Sequence, residues 1–400
     1  MKVAMVGPYP LGRAVTGGIE AVAAALAAGL CLLNDIELHI VTVSAQMTPS
    51  HEGVAGAAIH GLPSSGRWRR LTLYRRERAA IARCLRELRP DLVHVQGQNF
   101  YALGALDAGF PTVITLHGML AQEARIVDPR SHWTERLSKR LRGLFNATFE
   151  ATVLRRAAHL IIISPYVAQC VASRTRARLY PINNPIDDAF FALPDAQEPG
   201  RLFFAGPLEP RKGLHHLIEA VRLLRAAGQP ATLHMAGAAV DRGYALALEC
   251  RVAEAGLTRA VRFLGVIAEK ELLREYAQAA LVVMASREES SPMLLQQAMA
   301  AGKPVVAPRV GGIPHLVEDE VTGRVVAPED PEALADAIGR LLSDPAARWR
   351  MGAEGRRRAE SRFRASAVAA RTRQVYFEVL GSIAPREVDA PLATAAGGRQ

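Results

Sequence analysis

Cysteine is sparse in this chain of 400 residues, and Cys31, Cys84, Cys170 and Cys250 stand in no paired spacing. That excludes a zinc site or a disulfide framework read from sequence and predicts four reduced thiols. Long apolar runs are also missing. The most hydrophobic segments are strand-sized, well short of the roughly 20 residues that a membrane helix requires. The N-terminus, MKVAMVGPYPLG, reaches Gly7-Pro8 too soon for a secretory leader, which makes the cytoplasm the expected compartment. Lysine is nearly absent: Lys2, Lys139, Lys212, Lys270 and Lys303 are all there are, so arginine carries the net charge of +10. A basic balance of this kind suits nucleic acid, a membrane surface or an anionic substrate. No zinc finger, recognition helix or aromatic-basic RNA motif accompanies it, and nucleic acid is set aside as a partner.

What the chain has is length and alternation. Four hundred residues exceed what one hydrophobic core serves, so two domains are expected. Short β-branched runs at Val3–Val6, Ile36–Val43, Ala57–Gly61, Leu92–Val95, Thr112–Leu116 and Leu160–Ile163 read as strands. Helical patterns such as Ile19–Leu33, Leu71–Leu88 and Trp133–Arg156 fall between most of them. The pattern restarts with strands at Leu202–Ala205, Thr232–Ala236, Val261–Leu264, Leu281–Ala285, Val305–Ala307 and Arg324–Ala327, again with helices between or after. Each half is therefore an α/β layer structure with a parallel sheet. Tyr180 to Asp187, dense in proline and asparagine, reads as the connection between them. The segment from Pro385 on, rich in Ala, Gly and Thr without a pattern, is expected to be disordered.

The segment Ala285–Leu316 organises the rest. Its strand ends in a polar turn, Ser286 to Ser291, and Pro292 is placed to open a helix that Ser290 or Ser291 can cap. Met293, Leu294, Met299 and Ala300 give that helix an apolar side, and Gly302 ends it before the next strand. Strand, loop, helix and parallel strand put the loop at the carboxyl edge of the sheet, where ligands bind. Glu289 and Gln297, eight positions apart, can both face one cleft along the helix, although solvated polar residues at a helix end would look the same. Elsewhere, Gly17-Gly18 open a helix after the first strand, an arrangement that can bind phosphate through free amides. No G-x-G-x-x-G fingerprint is present, and the loop from Pro8 to Thr16 is too long for one. His117 directly follows its strand and so points at the crevice, though most histidines are structural or merely exposed. Lys212, in a chain this poor in lysine, sits just before a helix start, where a cation is disfavoured unless an anion is bound.

These residues together resemble glycosyltransferase family four, retaining enzymes of the GT-B fold that use nucleotide sugars. In that signature a Glu, seven intervening residues and a second Glu precede an A-M-A-x-G-x-P-V-V run. Here Glu289 matches the first Glu, Ala298 to Val306 match the run, and Gln297 replaces the second Glu. Gly17-Gly18-Ile19-Glu20 is similar to the family's G-G-x-E loop, Tyr180 to Asp187 to its hinge segment with Pro185 for glycine, and Lys212 to its loop lysine. The family's arginine after the first glycine of that loop is Pro207, with Arg211 the replacement at hand. The resemblance implies two Rossmann-like doubly wound domains facing a cleft. Residues 1–185 would form the acceptor side, with the helix 364–381 packing back on them, and residues 186–363 the donor side.

By the same resemblance, Glu289 would hold the hydroxyls of a UDP- or GDP-linked sugar, helped by amides of Ser290, Ser291, Pro292, Met293 and Leu294. Gln297 would hold the ribose, and Lys212, joined by Arg211, would meet the diphosphate with the Gly17 and Gly18 amides. His117 would contact the sugar from the other domain. With no Asp-x-Asp pair in the chain, neither a divalent metal nor another cofactor is expected. The acceptor would be a hydroxyl, on a glycan, a glycolipid or a lipid-linked polysaccharide precursor. Two readings compete: a catalytically degenerate nucleotide-sugar-binding subunit, motivated by Pro207 and Gln297, and a nucleotide-sugar epimerase of the same fold. Trp68, Leu71, Leu73 and Tyr74 interleave with Arg67, Arg69, Arg70, Arg75, Arg76 and Arg78, and Leu137, Leu141 and Leu144 alternate with basic residues. Both segments read either as solvated helix surface or as a peripheral contact with anionic lipid on the inner face of the membrane.

Overall fold

The computed structural model describes residues 1–11, 17–44, 56–66, 72–119, 122 and 133–381. Trp68 with Arg67, Arg69, Arg70 and Leu71, and the tail from Pro385, lie outside the described residues, as do the side chains of Arg136, Lys139 and Leu141.

Two all-parallel sheets carry the chain. The first contains β1 (Lys2–Val6), β2 (Glu37–Ser44), β3 (Ala58–Pro63), β4 (Leu92–Gln96), β5 (Thr112–Leu116), β6 (His159–Ile162) and β7 (Arg178–Pro181), in the order β3-β2-β1-β4-β5-β6-β7. The second contains β8 (Arg201–Ala205), β9 (Thr232–Ala236), β10 (Val261–Gly265), β11 (Leu281–Val283), β12 (Val305–Pro308) and β13 (Gly323–Val326), in the order β10-β9-β8-β11-β12-β13. Central strands such as β4 and β5 are buried at every residue. That is why they read as unbroken apolar runs rather than alternating ones. In each sheet the order reverses beside the first strand, between β1 and β4 and between β8 and β11. Crevices open at the carboxyl ends there.

Three elements differ from expectation. Tyr180 and Pro181 belong to β7, an edge strand paired with β6, so the interdomain connection starts later. An edge strand tolerates a proline because one side of its ladder has no partner to feed. Two short helices, Phe100–Leu106 and Pro165–Val171, are capped by the side chains of Asn99 and Ser164. The last helix, Ala365–Gly381, returns to the first sheet. Its Val368, Ala369, Val375, Tyr376 and Val379 share a core with Val3, Met5, Leu26 and Leu30. Gly29 lets it approach, since a Cβ there would lie 2.5 Å from the Ala365 carbonyl oxygen. The chain thus crosses between the sheets twice, and the crossings touch: Ile186 bridges to Arg364, and the Ile186 N–H donates to the Phe363 carbonyl at 2.7 Å.

Candidate active site

The loop after β8 and the loop after β11 meet at the carboxyl edge of the second sheet. Pro210–Lys212 form a single 3-10 turn that ends on Gly213, at φ +60°. A Cβ on Gly213 would sit 2.1 Å from the Ala285 carbonyl oxygen, so only glycine lets the two loops come this close. Across that contact the Lys212 Nζ lies 2.5 Å from the Glu289 Oε1, with both side chains largely buried. Ser286 Oγ donates to the same carboxylate oxygen at 2.7 Å, and Arg211 Nη1 stands 3.7 Å from the other. Arg211 is itself paired with Glu209 through Nε and Nη2 and donates to the Glu288 carbonyl at 3.1 Å. Burial pushes the Glu289 carboxyl up, but the Lys212 ammonium and the Arg211 guanidinium outweigh it and hold the group below the usual range. From the other side, the loop after β12 closes on Glu289. Gly312 N–H donates to the Glu289 carbonyl at 2.8 Å, and a Cβ on Gly311 would lie 2.0 Å from that oxygen.

The helix Met293–Ala300 begins one residue later than its sequence suggests. Pro292 occupies the capping position, and no side chain caps it. Ser290 and Ser291 are therefore not caps. Ser291 Oγ accepts from Gln296 Nε2 at 2.8 Å, and the buried Ser290 Oγ has no protein partner. Pro292 has no N–H, so Ser290, Ser291, Met293 and Leu294 supply the amides of this turn. The first-domain helix Gly18–Cys31 starts opposite: a Cβ on Gly18 would be 3.6 Å from the Met293 Cγ. Gly17, Gly18, Pro207, Met293, Leu294 and Gln297 line one cleft between the domains. Gln297 Oε1 accepts from the buried Tyr276 hydroxyl at 2.8 Å, which leaves its amide hydrogens for a ligand.

His117 stands apart from the Lys212 and Glu289 pair, at the end of β5. Its Nε2 is 2.8 Å from the Gln96 Oε1. Burial pushes its pKa down to about 4, with Asn184 beside it pulling weakly the other way, so the imidazole is neutral at pH 7. Sequence reasoning missed several residues that complete the site. Gln96 holds His117, Ser286 holds Glu289, and Tyr276 holds Gln297. Two more span the domains: Ser164 Oγ donates to the Ser290 carbonyl at 2.8 Å, and the Tyr166 hydroxyl lies 2.8 Å from Glu288 Oε1. The Ser164-Pro165 pair is a readable helix start, but its reach across the cleft is not. Among the described residues, no cluster of three or more His, Cys, Asp or Glu is placed to hold a metal ion, and no helix is long and apolar enough to cross a membrane.

Residues 16–190 match the family model described as Glycosyltransferase Family 4, and residues 185–358 match the one described as Glycosyl transferases group 1. The MMP alpha-(1->4)-mannosyltransferase of Mycolicibacterium hassiacum is 28% identical over 312 residues, 76% of this chain and 74% of that protein. Sucrose-phosphate synthase from Thermosynechococcus elongatus has a similar structure, with a TM-score of 0.74 at 22% identity over 95% of this chain and 99% of the other. Anabaena HepE in complex with UDP and glucose gives a TM-score of 0.73 at 19% identity, over 94% and 100% of the two chains. At these identities the two structures speak for the fold.

Proposed function

The chain belongs to the glycosyltransferases of the group 1 and family 4 type, with the GT-B fold, and from that premise we propose that it moves a sugar from a UDP- or GDP-linked donor to a hydroxyl acceptor with the anomeric configuration retained. The observation that carries this is the Lys212 and Glu289 pair, a buried cation and carboxylate next to Gly206, which lines the same cleft as Gly17, Gly18 and Gln297. A nucleoside diphosphate sugar has the matching order of groups: sugar hydroxyls for Glu289, a diphosphate for Lys212 with the Gly17 and Gly18 amides, and a ribose for Gln297. Arg211, held against the Glu288 carbonyl and 3.7 Å from Glu289, is the second cation of this loop, in a chain where Pro207 stands at the family's arginine position.

The chemical step asks for little covalent participation. As the bond from the anomeric carbon to the diphosphate lengthens, negative charge gathers on the leaving phosphate, and fixed cations and amides stabilise it. The acceptor hydroxyl can enter on the same face and pass its proton to that phosphate. Neutral His117 and ionised Glu289 then steady the sugar from opposite domains. A glycan, glycolipid or polysaccharide precursor is the acceptor class this reading favours. Leu73, Leu137 and Leu144 are 50%, 50% and 68% exposed, and Arg75, Arg76 and Arg140 are exposed near them. Tyr74 packs near Phe145 at 6.3 Å between ring centroids, which joins the described residues of the two segments and favours a lipid-linked acceptor in an anionic membrane.

The test is donor hydrolysis and transfer by the purified protein with UDP- and GDP-sugars, scored by nucleoside diphosphate release and by the anomeric signal of the product in NMR. Release with a retained anomer supports the reading. Binding without release would favour the degenerate subunit, and an inverted product would overturn the retaining step.

A further inference from the structure

A chain of buried polar side chains runs from the last helix to His117, and nothing in the transfer chemistry above uses it. His94 and Gln96 lie two apart on β4, hence on one face of the sheet, and both are 0% exposed. His94 Nδ1 is 2.7 Å from the Tyr376 hydroxyl on the helix Ala365–Gly381, and its Nε2 is 2.7 Å from the Thr115 Oγ1. Gln96 Nε2 is 3.2 Å from the same His94 Nε2, and Gln96 Oε1 is 2.8 Å from the His117 Nε2. The backbone locks Gln96 in place, since a Cβ on Gly7 would come within 2.8 Å of the Gln96 Cβ. Gln98 Nε2 also donates to the Gly118 carbonyl and fastens the backbone just after His117.

The direction of each bond follows from what each atom can do. An amide nitrogen only donates, so His94 Nε2 accepts from Gln96 and its ring proton sits on Nδ1, donated to the Tyr376 oxygen. The Gln96 carbonyl oxygen only accepts, so His117 carries its proton on Nε2 and keeps Nδ1 as its one lone pair. Burial pushes the His94 pKa down to about 3, its coupling to His117 adding to this, and so both rings stay neutral and the pattern is not scrambled by a second proton.

We propose that His94, set by Tyr376 and Thr115, is a positioning residue that fixes His117, through Gln96, in the tautomer with Nε2 protonated and Nδ1, on the side where Asn184 lies, as the acceptor a sugar hydroxyl would meet. The proposal rests on the reading of His117 as a sugar-contacting residue. It gives the returning helix a task beyond packing: the Tyr376 oxygen accepts the His94 Nδ1 proton that the Gln96 contact requires, and this support reaches the cleft through three hydrogen bonds. If Tyr376 lost its oxygen, His94 could move its proton to Nε2 and face Thr115. Gln96 would then turn its carbonyl toward His94 and offer His117 a donor, which would leave His117 protonated on Nδ1.

The experiment is a long-range proton–nitrogen NMR correlation of histidine-labelled protein at pH 7, with His117 assigned by the His117→Gln variant. The wild type should show His117 protonated on Nε2. Tyr376→Phe should shift His117 toward the other tautomer and lower kcat by about tenfold, one hydrogen bond's worth, with donor binding unchanged. Packing alone would leave the His117 ring signals where they were. Wild-type His117 protonated on Nδ1 would overturn the proposal, as would identical ring signals and kcat in Tyr376→Phe. If Tyr376→Phe does not fold, Thr115→Val tests the other partner of His94 in the same way, and the wild-type spectrum needs no variant. Full transfer by His117→Gln would retire the role of His117 in the reaction while leaving the measured tautomer standing, so the two failures are told apart.

Discussion

Lys212 and Glu289 answer each other at 2.5 Å, from loops on either side of the reversal in strand order. The ammonium proposed to meet a diphosphate thus also neutralises the carboxylate proposed to hold sugar hydroxyls. Lys212→Ala should lower kcat/KM by about 10²–10³, the effect of removing one preorganised charge stabiliser. It should also lower stability by about 3 kcal/mol, because a buried carboxylate loses its nearest cation. Adding Glu289→Gln should restore stability but not turnover, as read by urea unfolding and steady-state kinetics. Wild-type kcat/KM in folded Lys212→Ala would remove Lys212 from the reaction.

The acid side of the stability curve should carry two signatures with worked signs. Glu289 has a folded pKa below its ordinary 4.5, so its contribution is full above that value and is lost as pH falls through the lower folded value. His94 and His117 have folded values near 3 and 4 against an ordinary 6.5. The unfolded chain therefore binds protons that the folded chain refuses between those limits, and stability falls as pH drops from 6.5 toward 4. Unfolding of wild type and His94→Asn at pH 7 and pH 5 checks this. The wild type should lose more on acidification, and equal losses would place the sensitivity elsewhere. Transfer itself should show no step near pH 6.5 that depends on His117.

Gln297 tests how a ribose is held. Its carbonyl oxygen already accepts from Tyr276, so a diol meets mainly its amide hydrogens. Gln297→Glu keeps one oxygen for Tyr276 and turns the other to the diol. It should tighten nucleoside diphosphate binding by about 1 kcal/mol, roughly fivefold, by calorimetry. Gln297→Ala should weaken binding, whereas Glu289→Ala should spare the nucleotide and abolish transfer. Unchanged binding in Gln297→Ala would end the ribose role and strengthen the degenerate-subunit reading.

The face around Leu73, Leu137 and Leu144 should bring the protein down with anionic vesicles at low salt and release it at high salt. Arg140→Glu with Leu144→Glu should abolish sedimentation and leave donor binding intact. Equal sedimentation with neutral vesicles would sink the electrostatic part.

The second half was the more legible because its motif is continuous in sequence. Glu289, Ala298 to Val306 and Lys212 lie in two short stretches, and local rules place both at the carboxyl edge of one sheet. The need for glycine at position 311 has no signal in the sequence, since the carbonyl that excludes a Cβ there belongs to Glu289, twenty-two positions earlier. In the first half, β7 was lost because four residues ending in proline carry too little periodicity to distinguish a strand from a linker. The support of the site was illegible for a different reason. Tyr376 lies 282 positions from His94, and Tyr166 lies 122 from Glu288. No spacing rule reaches that far, and each of these polar residues has an ordinary surface reading until the fold brings its partner to it.

The two crossings that meet at Ile186, Phe363 and Arg364 make the second sheet, topologically, an insert. Everything from Asp187 to Arg362 leaves and rejoins the first domain through neighbouring residues, so that whole span can be cut out and another spliced in with both junctions at one place. A chimera built there would trade the Lys212, Glu289 and Gln297 side of the cleft as a cassette, while His117, Gln96, His94 and Tyr376 stayed behind as a set. Inheritance of donor choice could then be separated from inheritance of acceptor choice by recombination at a single seam.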